Sequence, residues 1–492
     1  MTSNNILAIR LALKAMNPGE MSWKADKPPV VDQIFTPSDH DGTLDPDRAV
    51  VVGNRGVGKS YWSAVLAHKE LRDAVSGRYP KLGLSNLTVK LGFHEAAADG
   101  LDDLAPSKST LTQLEKNGYS ALNIWRGVLI EALRTTDRSV AAQLPPPGLT
   151  AAVAWVATCP EAFEAVLRTA NATFQQRGQK FVLLFDALDR LGDDWKDIRR
   201  RTDGIMRLAL QLRSSRTLRA KVFMRSDQFS DQRVFSFPDA SKLKQESVPL
   251  TWRRRDLYGL LFQRLWFASR PAFIQLLTER TEIRPSAKNT NFPPLIIDNE
   301  GIQAEIFYAI AGEFMGSDFR KGRTYSWLHD HLADAAGETS PRSFLYAIRK
   351  AAANAQGSEQ IITHRDLHVG VQDASEIRLD QLKEDYWWVV NAIDALKGLL
   401  VPCEPGEFLG RWRERETIKG ILQEAKSGKK LPPLQLADNP ADAESRLLEE
   451  LSHINVVEKR TNGKINMPDI FRVAAGIKRR GGVRPPVSPG RR

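Results

Sequence analysis

Eight consecutive residues near the start of the chain constrain its fold more than any other feature. Residues 53–60 read Gly-Asn-Arg-Gly-Val-Gly-Lys-Ser, a complete G-x-x-x-x-G-K-S pattern. Glycines at these positions let the backbone wrap so that consecutive N–H groups point at one anion, and a following helix adds the positive end of its dipole. A β-branched run, residues 50–52, precedes the pattern, and an apolar helical pattern follows it. The segment is therefore predicted to form a strand, a phosphate-binding loop and a helix.

Two side chains of this loop are expected to act directly on a bound phosphate chain. The lysine, Lys59, bridges the outer phosphates in such a loop, and the hydroxyl of Ser60 ligates Mg²⁺. The backbone of the whole loop surrounds the phosphates. The predicted phosphate-binding residues are Gly53, Asn54, Arg55, Gly56, Val57, Gly58, Lys59 and Ser60.

A second apolar segment is expected to bring a carboxylate to the magnesium. Residues 181–185 read Phe-Val-Leu-Leu-Phe, which indicates a strand buried on both faces. It ends at Asp186, and ligands bind at the carboxyl ends of strands in open α/β sheets. We therefore predict that Asp186 holds Mg²⁺ together with Ser60. Asp189 is expected to orient or deprotonate the attacking water, with a helix N-cap or a surface acid as the alternative.

Strands alternate with helix-length patterns along the first half of the chain. Further strands are predicted at residues 87–93 and 221–224, and helices at residues 59–75, 121–133, 160–176 and 198–212. This alternation is typical of an α/β fold with a doubly wound parallel sheet. The strand at 221–224 is expected to lie between the phosphate loop and the Asp186 strand. Arg225 would then contact the γ-phosphate as a sensor, unless it is an ordinary strand-to-loop exit.

Residues 53–60, 181–190 and 223–227 together resemble the P-loop ATPases of the AAA+ and STAND group. Residues 248–252 and 256–264 are similar to the entry into the helical lid of origin-recognition and STAND ATPases. Residues 340–344 resemble the start of the lid helix that carries a second sensor arginine. The resemblance implies ATP and Mg²⁺ as cofactors and Arg342 as a nucleotide-state sensor, with a surface arginine as the alternative. Ala187 stands where a second acid is usual, which favours slow turnover.

The carboxyl-terminal part of the chain resembles a winged-helix domain. A helix is predicted around residues 446–451, followed by two short strands that meet at Asn462 and Gly463, a strong hairpin signal. Lys459, Arg460 and Lys464 would lie on the wing and contact DNA phosphates. The alternative is that the winged helix packs as a lock between the ATPase and an effector.

The positive charge is concentrated at the carboxyl terminus. The chain has 70 Lys and Arg against 59 Asp and Glu, a net charge of +11. Six of these cations lie in residues 477–492, which contain no acid. We expect this tail to be disordered in isolation and to extend any DNA contact. The predicted divisions are a lead-in helix and loop (1–47), the ATPase core (48–247), a helical lid (248–375), the winged-helix-like domain (376–476) and the tail.

Composition favours a cytoplasmic protein with no membrane partner. Two cysteines, Cys159 and Cys403, are too few for a disulfide framework, and no apolar run is long enough to span a bilayer. A homo-oligomer is expected from the resemblance. Residues 199–201 and 253–255 are both candidates for an arginine finger, with a solvated basic face as the alternative for each.

Three hypotheses of function follow. The first is an ATP-hydrolysing molecular switch of the AAA+ or STAND kind, with a prokaryotic role in phage defence suggested by analogy. The second is a DNA-binding loader whose assembly is controlled by nucleotide. The third is a regulatory subunit that binds ATP without turnover and acts on a partner effector.

Overall fold

The structure is a computed structural model of the chain. It describes residues 2–16, 29–31, 34–102, 104–285, 291–357, 359–428, 432–433, 436 and 441–480. The chain forms two compact units, one of Glu20–Leu250 and one of Met1–Gly19 with Thr251–Arg492. The division after Leu250 lies close to the predicted limit at residue 247.

The first helix, α1 (Ser3–Ala15), belongs to the unit that contains the second half of the chain. Ile9 and Leu13 on its inner face are fully buried. Arg10 donates hydrogen bonds from Nη1 to the carbonyl of Gly357 at 2.6 Å and from Nε to that of Ile361 at 2.8 Å. The prediction that this helix leads into the first core strand is therefore wrong. An apolar stripe shows that a helix packs against something, but it does not identify the surface.

A five-stranded parallel sheet forms the centre of the unit Glu20–Leu250. Its order is β2-β3-β4-β1-β5, and every neighbouring pair is parallel. This confirms the predicted α/β parallel sheet and the placement of the 221–224 strand between the other two. The strands are β1 (Val50–Gly53), β2 (Leu87–Phe93), β3 (Lys180–Phe185), β4 (Leu218–Arg225) and β5 (Val248–Pro249).

Twelve described helices of this unit connect the strands and pack around them. The helix predicted at residues 160–176 has those bounds. The helix predicted at 59–75 is instead two helices, because His68 is extended (ψ 124°) between them. The helices are α2 (Asp41–Leu44), α3 (Lys59–Ala67), α4 (Lys69–Ser76), α5 (Glu95–Ala98), α6 (Lys108–Lys116), α7 (Ala121–Arg134), α8 (Arg138–Ala141), α9 (Leu149–Thr158), α10 (Pro160–Gln176), α11 (Trp195–Arg213), α12 (Ser226–Ser230) and α13 (Ala240–Gln245).

The core beside β2 and β3 is built around one tryptophan. Trp125 of α7 is fully buried and meets the rings of Phe93 and Phe185 edge to face, with centroid distances of 6.2 and 5.5 Å. Its indole N–H donates to the carbonyl of Arg201 at 2.8 Å, so burial leaves no unpaired donor there. These contacts fix the last residues of two neighbouring strands, which is where ligands bind in such sheets.

The second unit is mainly helical. Its helices are α14 (Arg254–Ala268), α15 (Arg270–Arg280), α16 (Pro294–Asp298), α17 (Glu300–Ala311), α18 (Thr324–Leu332), α19 (Pro341–Asn354), α20 (His364–Asp385), α21 (Val389–Asp394), α22 (Pro405–Glu414), α23 (Thr417–Ser427), α24 (Ala443–His453) and α25 (Asp469–Arg472). Four short strands accompany them, β6 (Leu400–Val401), β7 (Glu458–Lys459), β8 (Ile465–Asn466) and β9 (Lys478–Arg479). The predicted boundary between residues 375 and 376 falls inside the continuous helix α20.

The structure describes two predicted features of the carboxyl terminus, the hairpin and the first residues of the tail. The hairpin is present, since β7 and β8 pair antiparallel and Gly463 adopts a positive φ of 82° between them. The first residues of the predicted tail are ordered in the full chain, because β9 pairs with β6 and Ile477 is buried. Local composition favours disorder there, but strand pairing with a distant segment overrides it. Residues 481–492, the rest of the predicted tail, lie outside the described residues.

Among the described residues, no single helix has the length and apolar character needed to cross a membrane. Only α9 and α10 taken together reach that length and hydropathy, and they are bent by 111° relative to each other.

Candidate functional site

The loop between β1 and α3 has the backbone geometry of a phosphate-binding loop. Gly56 and Gly58 adopt positive φ angles of 81° and 98°, which side chains disfavour. A Cβ on Gly53 would lie 2.7 Å from Cγ2 of Val57 and 3.2 Å from the carbonyl oxygen of Leu250. Only glycine fits at these positions, so the strand, loop and helix predicted from the motif are present.

Lys59 is held at the mouth of this loop. Its Nζ donates to the carbonyl oxygens of Gly53 and Asn54, each at 2.9 Å. Burial, together with the neighbouring Arg225, lowers the pKa of Lys59 to about 8, while carboxylates led by Asp186 act in the opposite direction. The ammonium therefore lies inside the loop, where it can reach phosphate oxygens.

Asp186 follows β3 directly and faces the phosphate loop. Its backbone N–H donates to the carbonyl of Phe93 at 2.9 Å, and the residue is 6% exposed. Burial raises the pKa of Asp186, against a hydrogen bond from the hydroxyl of Ser60 and the positive charge of Lys59. A hydroxyl and a carboxylate side by side are oxygen donors of the kind that Mg²⁺ takes. The two predicted metal ligands are thus in contact and fit that ion.

The chain turns sharply after Asp186. Ala187 adopts φ 55° and ψ 42°, a left-handed conformation that is uncommon for a residue with a side chain. A short 3₁₀ turn, Leu188–Arg190, follows and carries Asp189 at the same edge of the sheet. Asp189 is 43% exposed, and its Oδ2 lies 4.0 Å from Nη1 of Arg225. The second acid is therefore close to the predicted sensor.

Arg225 ends β4 and lies beside the phosphate loop. In the parallel register it is paired with Gly53, the first residue of the loop. Its Nε and Nη2 donate to the two carboxylate oxygens of Asp227 at 3.1 and 3.3 Å. This fork holds the guanidinium in one orientation. Lys59, Asp186, Asp189 and Arg225 are thus brought together, as their positions in the sequence predict.

Arg342 lies in the first turn of α19, in the other unit. Ser340 caps that helix, since its Oγ accepts from the backbone N–H of Ser343 at 3.1 Å, and Pro341 occupies the first helical position. The local prediction of a helix start is confirmed. The role of Arg342 as a nucleotide sensor stays a prediction.

Two polar contacts at this edge of the sheet are not anticipated by the sequence motifs. His94, which directly follows β2, makes a 2.7 Å contact from Nε2 to Oδ2 of Asp102. Glu95 pairs with Arg190, with Oε1 and Nη2 2.9 Å apart. The available signal was the position of His94 as the first residue after a predicted strand, at the carboxyl edge.

The basic run at residues 199–201 is engaged inside its own unit. Arg199 pairs with Asp231 at 2.6 Å, and Arg200 and Arg201 both pair with Glu115 at 2.7 Å. The side chain of Arg201 is only 1% exposed, so the alternative of a solvated basic face is wrong for that residue. An arginine finger within a homo-oligomer stays a prediction.

The hairpin presents its three predicted cations unequally. Lys459 is exposed, whereas the side chain of Arg460 is 10% exposed and lies 3.5 Å from Glu458. Nζ of Lys464 lies 3.8 Å from Glu404. One of the three is thus fully presented to solvent.

Strand, glycine loop, helix and a carboxylate at the end of another strand of the same sheet together define an α/β fold of the P-loop class. No family model matches the sequence, and neither does any curated protein sequence. The solved structures that resemble it include the Walker-type ATPase PABY2304 of Pyrococcus abyssi, at 13% identity and a TM-score of 0.38, covering 90% of this chain and 95% of that one.

Two further solved structures are similar to this chain. The first is Cdc6p of Pyrobaculum aerophilum, with 12% identity, a TM-score of 0.27, and coverage of 87% of this chain and 84% of that one. The other is the ORC2 protein of Aeropyrum pernix in ADPNP and ADP complexes, with 14% identity, a TM-score of 0.33, and coverage of 87% and 85%.

Proposed function

We propose that the chain binds ATP with Mg²⁺ and hydrolyses it, acting as a nucleotide-controlled switch of the AAA+ kind. The observation that carries this proposal is the hydrogen bond between Ser60 and Asp186. It joins the end of the phosphate loop to a carboxylate from another strand. A structural role alone does not require a buried carboxylate at that point, because burial opposes its ionisation.

Each residue of the site has a defined part in this reaction. Backbone N–H groups of the loop and Lys59 hold the phosphates, and Ser60 and Asp186 hold the metal. Bound Mg²⁺ would neutralise charge on the β- and γ-phosphates. Asp189 orients the attacking water and takes its proton, and Arg225 contacts the γ-phosphate. These assignments use the four side chains that lie together at this edge of the sheet, and Ser60, which is hydrogen-bonded to one of them.

The test is ATP turnover in variants of the two strongest assignments. Lys59→Ala is expected to weaken ATP binding by about 10- to 100-fold, which corresponds to the ~1.5–3 kcal/mol of a charge-assisted hydrogen bond. Asp186→Ala is expected to abolish turnover and the effect of Mg²⁺ on it. Lys69→Ala is the matched control, since Lys69 is 71% exposed and pairs with Asp73 one turn along its own helix. Turnover that survives in the double variant Lys59→Ala/Asp186→Ala would overturn the proposal.

The sensor assignments have a separate test. Arg225→Ala is expected to lower turnover while ATP binding persists, because Arg225 reaches the terminal phosphate and the loop holds the rest. Arg342→Ala is expected to remove the difference between the ATP and ADP states in limited proteolysis. Arg349→Ala, on the same helix, is its control. Equal behaviour of Arg342→Ala and Arg349→Ala would reject the second sensor.

A second candidate function is nucleotide-controlled DNA binding by a winged helix in the carboxyl-terminal part. It is favoured by exposed cations on two short strands of this part of the chain, Lys459 of β7 and Lys478 of β9. Removing residues 481–492 and changing both lysines to alanine should weaken duplex binding and flatten its salt dependence by about one unit for each phosphate that is no longer neutralised. Unchanged binding would reject DNA as a partner. ATP binding without turnover at any protein or DNA concentration would instead favour the regulatory-subunit hypothesis.

A further inference from the structure

His94, which is buried, pairs with the half-buried carboxylate of Asp102 next to the candidate catalytic edge. His94 is 5% exposed. Burial opposes ionisation of Asp102, but hydrogen bonds from His94 and from the amides of Ala105 and Leu104 outweigh it and lower the pKa of Asp102. An ionised carboxylate only accepts hydrogen bonds, so Nε2 of His94 carries the shared hydrogen. In that tautomer Nδ1 is the acceptor.

This acceptor is without a partner in the part of the chain that the structure describes. Nδ1 of His94 is buried and makes no hydrogen bond there. A buried polar atom that makes no hydrogen bond lowers the free energy of unfolding. Such atoms are found at catalytic sites, where the unused group acts on a substrate. Asp102 therefore holds the ring in the tautomer that presents an unused acceptor.

The backbone places His94 between two connections to the segment that carries Asp186 and Asp189. On one side, the N–H of Asp186 donates to the carbonyl of Phe93 at 2.9 Å. On the other side, Glu95 pairs with Arg190 at 2.9 Å. Phe93 and Glu95 flank His94 in the sequence, and Arg190 directly follows Asp189. His94 thus lies at the same sheet edge as the metal carboxylate and the second acid.

We propose that His94 orients the attacking water together with Asp189. Nδ1 of His94 accepts one hydrogen of the water and the carboxylate of Asp189 accepts the other, so that a lone pair of the oxygen is directed at the γ-phosphorus. Asp102 is the positioning residue that fixes the histidine tautomer. This assignment rests on the proposed ATPase function. It also accounts for a site in which Ala187 stands directly after the metal carboxylate.

The chemical step balances without a further reactant. The water oxygen forms a bond to the γ-phosphorus while the bond to the bridging oxygen breaks, and ADP leaves with that electron pair. The proton of the water passes to Asp189. His94 accepts a hydrogen bond throughout and takes no proton.

Isosteric variants distinguish the two ring nitrogens. His94→Asn places an amide oxygen near the position of Nδ1, whereas His94→Gln extends its amide toward Asp102 and lacks that acceptor. We expect His94→Asn to retain turnover within about 5-fold and His94→Gln to lose about 10- to 100-fold, the size of effect that misplacing a reactant has. The dissociation constant for ATP should stay at the wild-type value in both. His94→Asn should lower the melting temperature, because it gives up the buried hydrogen bond to Asp102.

Asp102→Asn gives an independent test through the tautomer. Amides of Leu104 and Ala105 donate to Oδ1 of Asp102 at 2.8 and 2.6 Å, so an asparagine there must turn its NH₂ group toward His94. Nε2 would then accept, Nδ1 would carry the hydrogen, and turnover should fall about as far as in His94→Gln. ATP affinity should not change.

The outcomes separate this inference from the proposed function. Wild-type turnover in His94→Gln and Asp102→Asn, with ATP bound and hydrolysed, would overturn the role of His94 alone. Loss in His94→Asn equal to that in His94→Gln would overturn it too, since it would indicate a merely structural histidine. Absence of ATP binding by the wild-type chain would reject the proposed function and this inference with it.

Discussion

The hydroxyl of Ser60 donates a hydrogen bond to the carboxylate of Asp186, although the strand β4 separates β1 from β3 in the sheet. The loop and helix after β1 carry Ser60 across to the end of β3. The fold therefore places two oxygen atoms that can ligate a metal side by side. Binding a metal there requires little rearrangement, which favours affinity because the ordering cost has already been met on folding.

Removing this hydroxyl should weaken the response to magnesium. Ser60→Ala is expected to raise the Mg²⁺ concentration for half-maximal turnover by at least about 10-fold, the usual scale for losing a group that organises a metal site. Ser63→Ala is the control on the same helix, because its buried hydroxyl makes no hydrogen bond in the described structure. Titration of turnover with Mg²⁺ measures both. Equal midpoints would show that Ser60 is not a metal ligand.

Neutralising the second acid should slow the reaction without affecting binding. Asp189→Asn is expected to lower kcat by about 100-fold or more, the range for loss of a general base. The melting temperature should not change, because the side chain of Asp189 is 43% exposed and packs little against the core. Asp193→Asn is the matched control, since Asp193 is 87% exposed and pairs with Lys108. If both variants turn over ATP at the same rate, Asp189 does not act on the water.

Glycine at position 187 should stabilise the protein. Ala187 holds a left-handed conformation that costs roughly 1 kcal/mol for a residue with a Cβ, and glycine adopts it freely. Ala187→Gly is therefore expected to raise the free energy of unfolding by up to about 1 kcal/mol. Ala172→Gly, at a site within α10, should lower it by about 0.5–1 kcal/mol. Urea denaturation measures the free energy of unfolding of both variants. A lower value in Ala187→Gly than in the wild type would show that the conformation of Ala187 is not strained.

A buried lysine should make stability depend on pH. Lys221 of β4 is fully buried, and its Nζ donates to the carbonyls of Asp45 and Arg48 at 2.7 and 2.8 Å. Burial lowers the pKa of Lys221 from 10.5 to about 7. Between these values the unfolded chain binds a proton that the folded chain lacks, so the contribution of Lys221 to the free energy of unfolding rises with pH.

Lys221→Met removes this contribution. The difference in free energy of unfolding, wild type minus variant, is therefore expected to increase from pH 7 to pH 9 in urea denaturation. Other titrating groups cancel in that difference. Parallel pH profiles for the two proteins would show that Lys221 titrates alike in the folded and unfolded chains.

The nucleotide site could be predicted from the sequence because its parts are local. Residues 53–60 specify a loop through glycines that allow positive φ angles, and residues 181–186 specify a buried strand that ends in an acid. Parallel strands connected by helices bring their carboxyl ends to one edge. The relative positions of Lys59, Asp186 and Arg225 follow from that rule. The same rule, applied to the strand at 87–93, would have pointed to His94.

Other features were decided by tertiary structure. No local pattern indicates that α1 belongs with residues 251–492, that β9 pairs with β6, or that His94 contacts Asp102. Each depends on a contact between segments whose separate propensities are weak. Such contacts form only when the rest of the chain has brought the segments together and packing repays the entropy of closing the intervening loop. The sequence by itself determined a phosphate loop and its carboxylate, and only the folded chain decided which other side chains surround them.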